Sequence, residues 1–169
     1  MATAPEAPGD PPARPAEDAV PAMAAAPLTD PWNVLTDVDH VGIAVRDLDA
    51  AVDEYRRGFG MEPVHRERVE DQGVEEVMFK VGTSYIQLLG PLGPDTPVGR
   101  FLQRRGEGIH HVGYRVDDVG AVLQRLAGEG VPLVDREPRP GSRGTTVAFV
   151  HPQGFRGVLI ELVQEGPAS

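Results

Sequence analysis

From residue 37 onward, apolar and polar positions follow a pattern that is written twice. "VDHVGIAV" (38–45) and "IHHVGYRV" (109–116) both alternate with the period of two expected of a strand. A segment with apolar residues at helical spacing follows each. These residues are Leu48, Ala51, Val52, Tyr55 and Phe59 in the first, and Val119, Val122, Leu123 and Leu126 in the second. Asp47 and Asp118 stand at the starts, where a carboxylate caps free N–H groups and meets the positive end of the helix dipole. Gly58 and Gly60, then Gly128 and Gly130, mark the ends. Three strand-like runs come after each helix: "EPVHRERV", "EEVMFKV" and "SYIQLLGP", then "VPLVDREP", "TTVAFV" and "GVLIELVQ". The pattern predicts an α+β domain over residues 37–166, built of two tandem βαβββ modules at about 37–93 and 108–165. Neither module would bury much core alone, so their sheets are expected to curl together around a shared cavity.

Aligning the modules puts polar residues at matching points. His40 meets His111 at an offset of 71, and Val41, Gly42, Val45 and Asp47 meet Val112, Gly113, Val116 and Asp118. In the last strands Gln87 meets Glu161 at an offset of 74, with three extra residues assigned to "HPQGFRG". Strand alternation places Tyr85, Gln87 and Leu89 on one face, with Ile86 and Leu88 on the other. Glu161 shares its face with Leu159 and Val163 and is flanked by apolar residues. A carboxylate buried there needs a cationic partner, and no Lys or Arg lies within the strand. Two imidazoles, an amide oxygen and a carboxylate suit a divalent transition metal with positions left open for water or substrate. Singly, each residue has a plainer role, as a partly exposed polar side chain or one that satisfies nearby backbone. The repeated placement favours one shared site. Alternation turns His110 away from His111, and His65 and His151 read as surface or loop residues.

Composition narrows the function. A net charge of −10 over 169 residues argues against nucleic acid and against an anionic membrane surface. The absence of cysteine excludes disulfides, thiolate metal sites and a thiol nucleophile, and fits a reducing, cytoplasmic compartment. No apolar run approaches the roughly 20 residues that span a bilayer. Residues 1–36 are dominated by Ala and Pro with one basic residue, Arg14, and read as a disordered tail. Arginines supply nearly all the cations, with "RFLQRRGEG" (100–108) the densest group, which reads on its own as a solvated helix end.

The paired "HVGIAV" and "HHVGYRV", with "IQLLGP" and "LIELVQ", resemble the vicinal oxygen chelate superfamily. Within it, "QGVEEVMF", "YIQLLGPL", "GIHHVGYRVDD" and "GVLIELVQ" look like the methylmalonyl-CoA epimerases, over about residues 37–164. The resemblance implies a cupped sheet holding one divalent ion, cobalt foremost, then manganese, nickel, zinc or iron. The ligands would be His40, Gln87, His111 and Glu161. It implies a CoA thioester substrate, a homodimer, and proton exchange at C2 through a metal-stabilised enediolate. Glu76 and Glu161 would be the two acid/base groups. From spacing alone Glu76 reads as a solvated residue beginning a strand, and its neighbour Glu75 faces the other side. The alternatives are a lactoylglutathione lyase-like isomerase and a metal-free drug-binding protein of the same fold.

Overall fold

The structure, a computed structural model, describes residues 33–167. Most of the stretch read as a disordered tail, through residue 32, lies outside them. In chain order the elements are β1 (Asp37–Ala44), α1 (Leu48–Phe59), β2 (Pro63–Val69), β3 (Val74–Val81), β4 (Ser84–Pro91), α2 (Pro97–Arg105), β5 (Gly108–Arg115), α3 (Val119–Gly128), β6 (Arg139–Pro140), β7 (Thr146–Val150) and β8 (Ile160–Gln164). The strands form one eight-stranded sheet in the order β2-β3-β4-β1-β5-β8-β7-β6. Each module contributes four adjacent strands, and the first strands of the two modules pair antiparallel at the centre. β4 runs parallel to β1 and β8 parallel to β5, so the two halves repeat the same local topology.

The capping residues act as the sequence implies. Asp47 accepts a hydrogen bond from Ala50 N at 3.0 Å, and Asp118 accepts one from Ala121 N at 2.9 Å. α1 buries Leu48, Ala51 and Val52 against Val77, Phe79 and Leu88 of β3 and β4. α3 does the same with Val119, Val122 and Leu123 against Ala148, Val150, Ile160 and Leu162. One face of the sheet is thereby covered by helices, leaving the other free to line a cavity.

One local reading changes. "VPLVDREP" forms no full strand: only Leu133 bridges Val150, and the ladder resumes at the two-residue β6. Pro132, Pro138 and Pro140 lack N–H donors. Instead, the N–H groups of Val134 and Asp135 both donate to Phe149 O, while the Asp135 carboxylate accepts from Phe149 N at 2.8 Å. The arginine-rich "RFLQRRGEG" belongs to a true helix, α2, joining the modules. Thr96 caps it by accepting from Gly99 N, and Pro97 sits in its first turn. Val98 and Leu102 anchor it on Ala44, Val74 and Leu89, leaving Arg100, Arg104 and Arg105 to line the cavity.

Phe79 is fully buried and stacks on Tyr55 with ring centroids 5.2 Å apart. Phe79→Ala is expected to cost about 3–5 kcal/mol, read as a lower urea midpoint with an unchanged slope.

Candidate active site

The centre of the sheet is set by two glycines. Across the antiparallel β1/β5 pair, His40 lies opposite Gly113 and Gly42 opposite His111. On the outer sides Gly42 neighbours Gln87 of β4, and Gly113 neighbours Glu161 of β8. Each glycine thus sits between two functional side chains in a cross-strand row. A Cβ on Gly113 would fall 2.3 Å from His40 Cε1, and one on Gly42 would fall 2.4 Å from His111 Cε1. The repeated His-Val-Gly phrase has this physical content: each module's glycine clears the space that the other module's imidazole fills.

The two rings meet edge-on, with centroids 5.0 Å apart, planes at 87° and Nε2 atoms 2.8 Å apart. Glu161 Oε2 lies 2.9 Å from His40 Nε2 and 3.0 Å from His111 Nε2. All three residues are buried, and one ligand atom from each lies within 4.8 Å of the others, close enough for one ion. Gln87 is buried beside them in the same cavity wall. Its Nε2 donates to Glu76 Oε2 at 2.6 Å, while its amide oxygen is buried with no hydrogen-bond partner. An orphaned oxygen acceptor, two imidazole nitrogens and a carboxylate form a donor set that fits a divalent transition metal.

The charges are mutually set. Burial disfavours a charged His40, but the carboxylates of Asp39 and Glu161 outweigh it and raise the imidazole to about 9. Burial would raise Glu161, yet both histidines hold it well below the usual carboxylate range. Burial lowers His111. The cation that Glu161 requires is therefore a protonated His40, supplied from the other module.

Asp39 was not singled out by the sequence. It is completely buried and accepts from His40 Nδ1 at 2.8 Å, Arg143 Nη2 at 2.8 Å and Arg115 Nη2 at 2.9 Å. Burial alone would raise its carboxyl; His40, Arg143 and Arg115 bring it down to about 2. The available signal was an acid directly before a histidine in an apolar strand, a carboxylate that could not remain unpaired.

His110 departs from the expected alternation. Gly42 pairs with His111 but Ile43 pairs with Ile109, so a β-bulge falls at His110. The bulge brings His110 Nδ1 within 3.0 Å of His111 Nδ1 and places its ring in the cavity lining, edge-on to Phe101. Burial, then the charge of His111, lowers it to about 4. A matching irregularity falls at Asp39, its equivalent at the offset of 71. Each bulged residue therefore sets its side chain against Nδ1 of the histidine that follows.

Glu76 is buried rather than solvated, because β3 lies inside the sheet between β2 and β4. Burial pushes its carboxyl up, against the hydrogen bonds from Ser142 and Gln87. Glu75 faces the other side and accepts from Arg66 Nε at 2.7 Å. His65, read as a surface residue, is half-buried, with Nε2 2.9 Å from Glu67 Oε2 and 3.8 Å from Glu76 Oε1. His151 caps a turn, its Nδ1 accepting from Gln153 N, in keeping with its reading as a loop residue. His40, Glu76, Gln87, His111 and Glu161 all line one cavity of about 1050 Å³, with Arg100, Arg104, Arg105, Arg139 and Arg143 also in its walls.

In metal-free protein, the raised His40 value stabilises the fold fully below its ordinary 6.5 and loses that contribution as pH rises through about 9. Urea unfolding between those limits is expected to show a fall of roughly 3 kcal/mol at most. The fall is expected to be absent in His40→Gln.

Residues 39–149 match the family model described as the Glyoxalase/Bleomycin resistance protein/Dioxygenase superfamily. The chain is 39% identical over 129 residues to the ethylmalonyl-CoA/methylmalonyl-CoA epimerase of Cereibacter sphaeroides, covering 75% of this chain and 96% of that protein. A solved methylmalonyl-CoA epimerase in complex with methylmalonyl-CoA and NH4+ is 44% identical, with a TM-score of 0.76 over 78% of this chain and 96% of that one. A variant of the Streptomyces coelicolor methylmalonyl-CoA epimerase in complex with 2-nitronate-propionyl-CoA is 42% identical, with a TM-score of 0.77 over 80% of this chain and 98% of that one. The chain belongs to the glyoxalase/bleomycin resistance protein/dioxygenase superfamily, the vicinal oxygen chelate group, and within it to the methylmalonyl-CoA epimerase family.

Proposed function

We propose that this protein interconverts the 2R and 2S forms of methylmalonyl-CoA by removing the C2 proton and returning one to the opposite face. The observation that carries this reading is a pair of buried carboxylates, Glu76 and Glu161, whose surroundings push them in opposite directions within one cavity. Groups separated in this way can serve as acid and base in a single step. C2 lies between a thioester carbonyl and a carboxylate, so its carbanion is accessible only if the charge spreads onto oxygen as an enediolate. Inversion requires a proton acceptor on one face and a donor on the other. Glu76 supplies one. Glu161 supplies the other through Oε1, since Oε2 is engaged with both histidines.

His40, His111, Gln87 and Glu161 would hold one divalent ion, of cobalt, manganese, nickel, zinc or iron. When bound, it supplies Lewis acidity to the substrate oxygens on which negative charge develops. Gln87 contributes a neutral ligand where a second carboxylate would cancel the ion's charge, keeping the site attractive to a dianionic substrate. Asp39 fixes the His40 ring with Nε2 inward. The cavity is large for a small-molecule site and suits an extended thioester. Arg100, Arg104 and Arg105 on α2 give that thioester's phosphates a cationic wall.

Divalent-loaded protein in heavy water is expected to wash deuterium into C2 of methylmalonyl-CoA, followed by mass spectrometry, and to stop after chelation. Glu76→Gln is expected to lower kcat by about 10²- to 10⁴-fold with thioester affinity retained. Wild-type exchange in that variant would remove Glu76 from the reaction. Gly113→Ala forces the His40 ring aside and is expected to weaken cobalt binding by roughly 10- to 100-fold, read from the visible absorption of the cobalt protein.

A further inference from the structure

By strand order the two ends of the sheet lie furthest apart, with β2 at one edge and β6 at the other. The turn between β6 and β7, Ser142–Gly144, nevertheless reaches back to the first module. Arg143 stands at its centre. The Arg143 backbone N–H donates to Glu67 Oε2 of β2 at 3.4 Å, and Nη2 donates to Asp39 Oδ1 of β1 at 2.8 Å. The guanidinium lies over the Tyr85 ring of β4, 4.7 Å from its centroid. The neighbouring Ser142 side chain hydrogen-bonds the Glu76 carboxyl of β3. Two consecutive residues of the second module thus touch all four strands of the first.

Arg143 holds this place in a backbone conformation that a side chain disfavours. Its φ is 56° and its ψ 21°, in the left-handed region where Cβ crowds the following carbonyl. The other non-glycine residue with positive φ among the described residues is Arg156, exposed at the end of a turn. Arg143 differs from it: its side chain is only 18% exposed, and its partners all belong to the other module. A disfavoured conformation persists where surrounding contacts over-determine it, and such residues gather at functional sites. The turn is also stiff. Thr145 donates to Ser142 O twice, from Oγ1 at 2.7 Å and from N at 3.1 Å, and Gly141 N donates to Thr145 O at 2.9 Å. A displacement of Arg143 therefore carries Ser142 with it.

Resting on the reading of His40 as an ion's ligand and Glu76 as a proton-transfer group, we infer that Arg143 is a positioning residue that locks these two parts of the site to one another. Through Asp39 it fixes the His40 ring, and through the stiff turn it sets Ser142 against Glu76. Arginine suits this place because its planar fork pairs with a carboxylate while its face stacks on an aromatic ring. Arg143 acts through Asp39 and Ser142, so the geometry it controls is read at the ion and at the reacting carbon alike.

The test is Arg143→Gly, which removes the guanidinium and takes up the left-handed conformation freely. Arg115 keeps Asp39 paired in the variant, and thermal unfolding verifies the fold. Cobalt binding without substrate, read from visible absorption, is expected to weaken on the order of tenfold, and kcat on methylmalonyl-CoA to fall by about as much or more. KM is expected to stay within about twofold, since no uniform substrate binding is lost. Tyr85→Leu, outside the cavity lining, is expected to move both quantities the same way by less, and it carries the test alone if Arg143→Gly does not fold. Wild-type cobalt affinity and kcat in a variant that melts at a lower temperature would make Arg143 a strut and overturn the inference. So would a change in only one of the two, which would uncouple His40 from Glu76. A raised KM with kcat and cobalt binding unchanged would make Arg143 a substrate contact instead. If the wild type exchanged no C2 proton, the epimerase reading would fall, while unchanged cobalt binding in both variants removes the positioning role alone.

Discussion

Two glycines facing two histidines across one antiparallel strand pair hold this molecule's chemistry in place. The His40–Gly113 and Gly42–His111 pairs are reciprocal, so neither imidazole can settle unless the other strand presents a residue without a side chain. The same contacts join the modules, because β1 and β5 are the seam of the sheet. Register at this seam is therefore fixed twice, by the hydrophobic alternation on the helix-covered face and by the ring contacts on the cavity face. A slip of one residue would set a ring against a valine and turn the apolar set away from α1 and α3.

Burial at the seam then dictates the electrostatics. Three buried ionisable groups within hydrogen-bond reach cannot all carry their solution charges. In the metal-free protein Glu161 is held ionised by His111 and His40 together, and His40 holds its proton because Asp39 and Glu161 stand on either side of it. Asp39 in turn is held ionised by Arg115 from β5 and Arg143 from the turn before β7, on top of the contact with His40. The chain of dependence runs from the cavity floor to arginines in the second module. A divalent ion would take over the role of the His40 proton, binding where the metal-free protein already concentrates negative charge.

Much of the architecture was legible because it is repetitive. The modules, the helix starts at Asp47 and Asp118, and the equivalence of Gln87 with Glu161 follow from period and offset, which the backbone obeys. His40, Gln87, His111 and Glu161 do line one cavity, since rows across a sheet preserve what alignment matches. What escaped the sequence lies where regular geometry is interrupted. The bulge at His110 reversed an alternation argument, and the irregularity at Asp39 concealed a buried carboxylate. The burial of Glu76 depends on β3 having neighbours on both sides, and the contact of His65 with it depends on the β2/β3 register. Neither is written locally. Pro132 and Pro138 were visible in "VPLVDREP", yet the apolar run outweighed the missing donors.

The duplication also shows where function departs from scaffold. Met78 and Phe149 occupy equivalent positions opposite Gln87 and Glu161, and by the same register Glu76 is matched by Val147, opposite Leu89 and Val163 respectively. Both Glu76 and Val147 line the cavity. A perfectly symmetric cup would present two carboxylates or two valines there, and would treat the two faces of a bound carbon alike. Replacing one of the pair with an apolar side chain removes a second buried carboxylate that would have needed its own cation. It also leaves the Glu76 side polar, where Gln87 can spend its N–H on Glu76 and keep its oxygen free. The symmetric positions thus gather the groups suited to an ion, and the single broken position distinguishes one side of the cavity from the other. The proposed inversion asks for one proton-transferring group on each face of the carbon; with Val147 apolar, the partner of Glu76 is left to be Glu161.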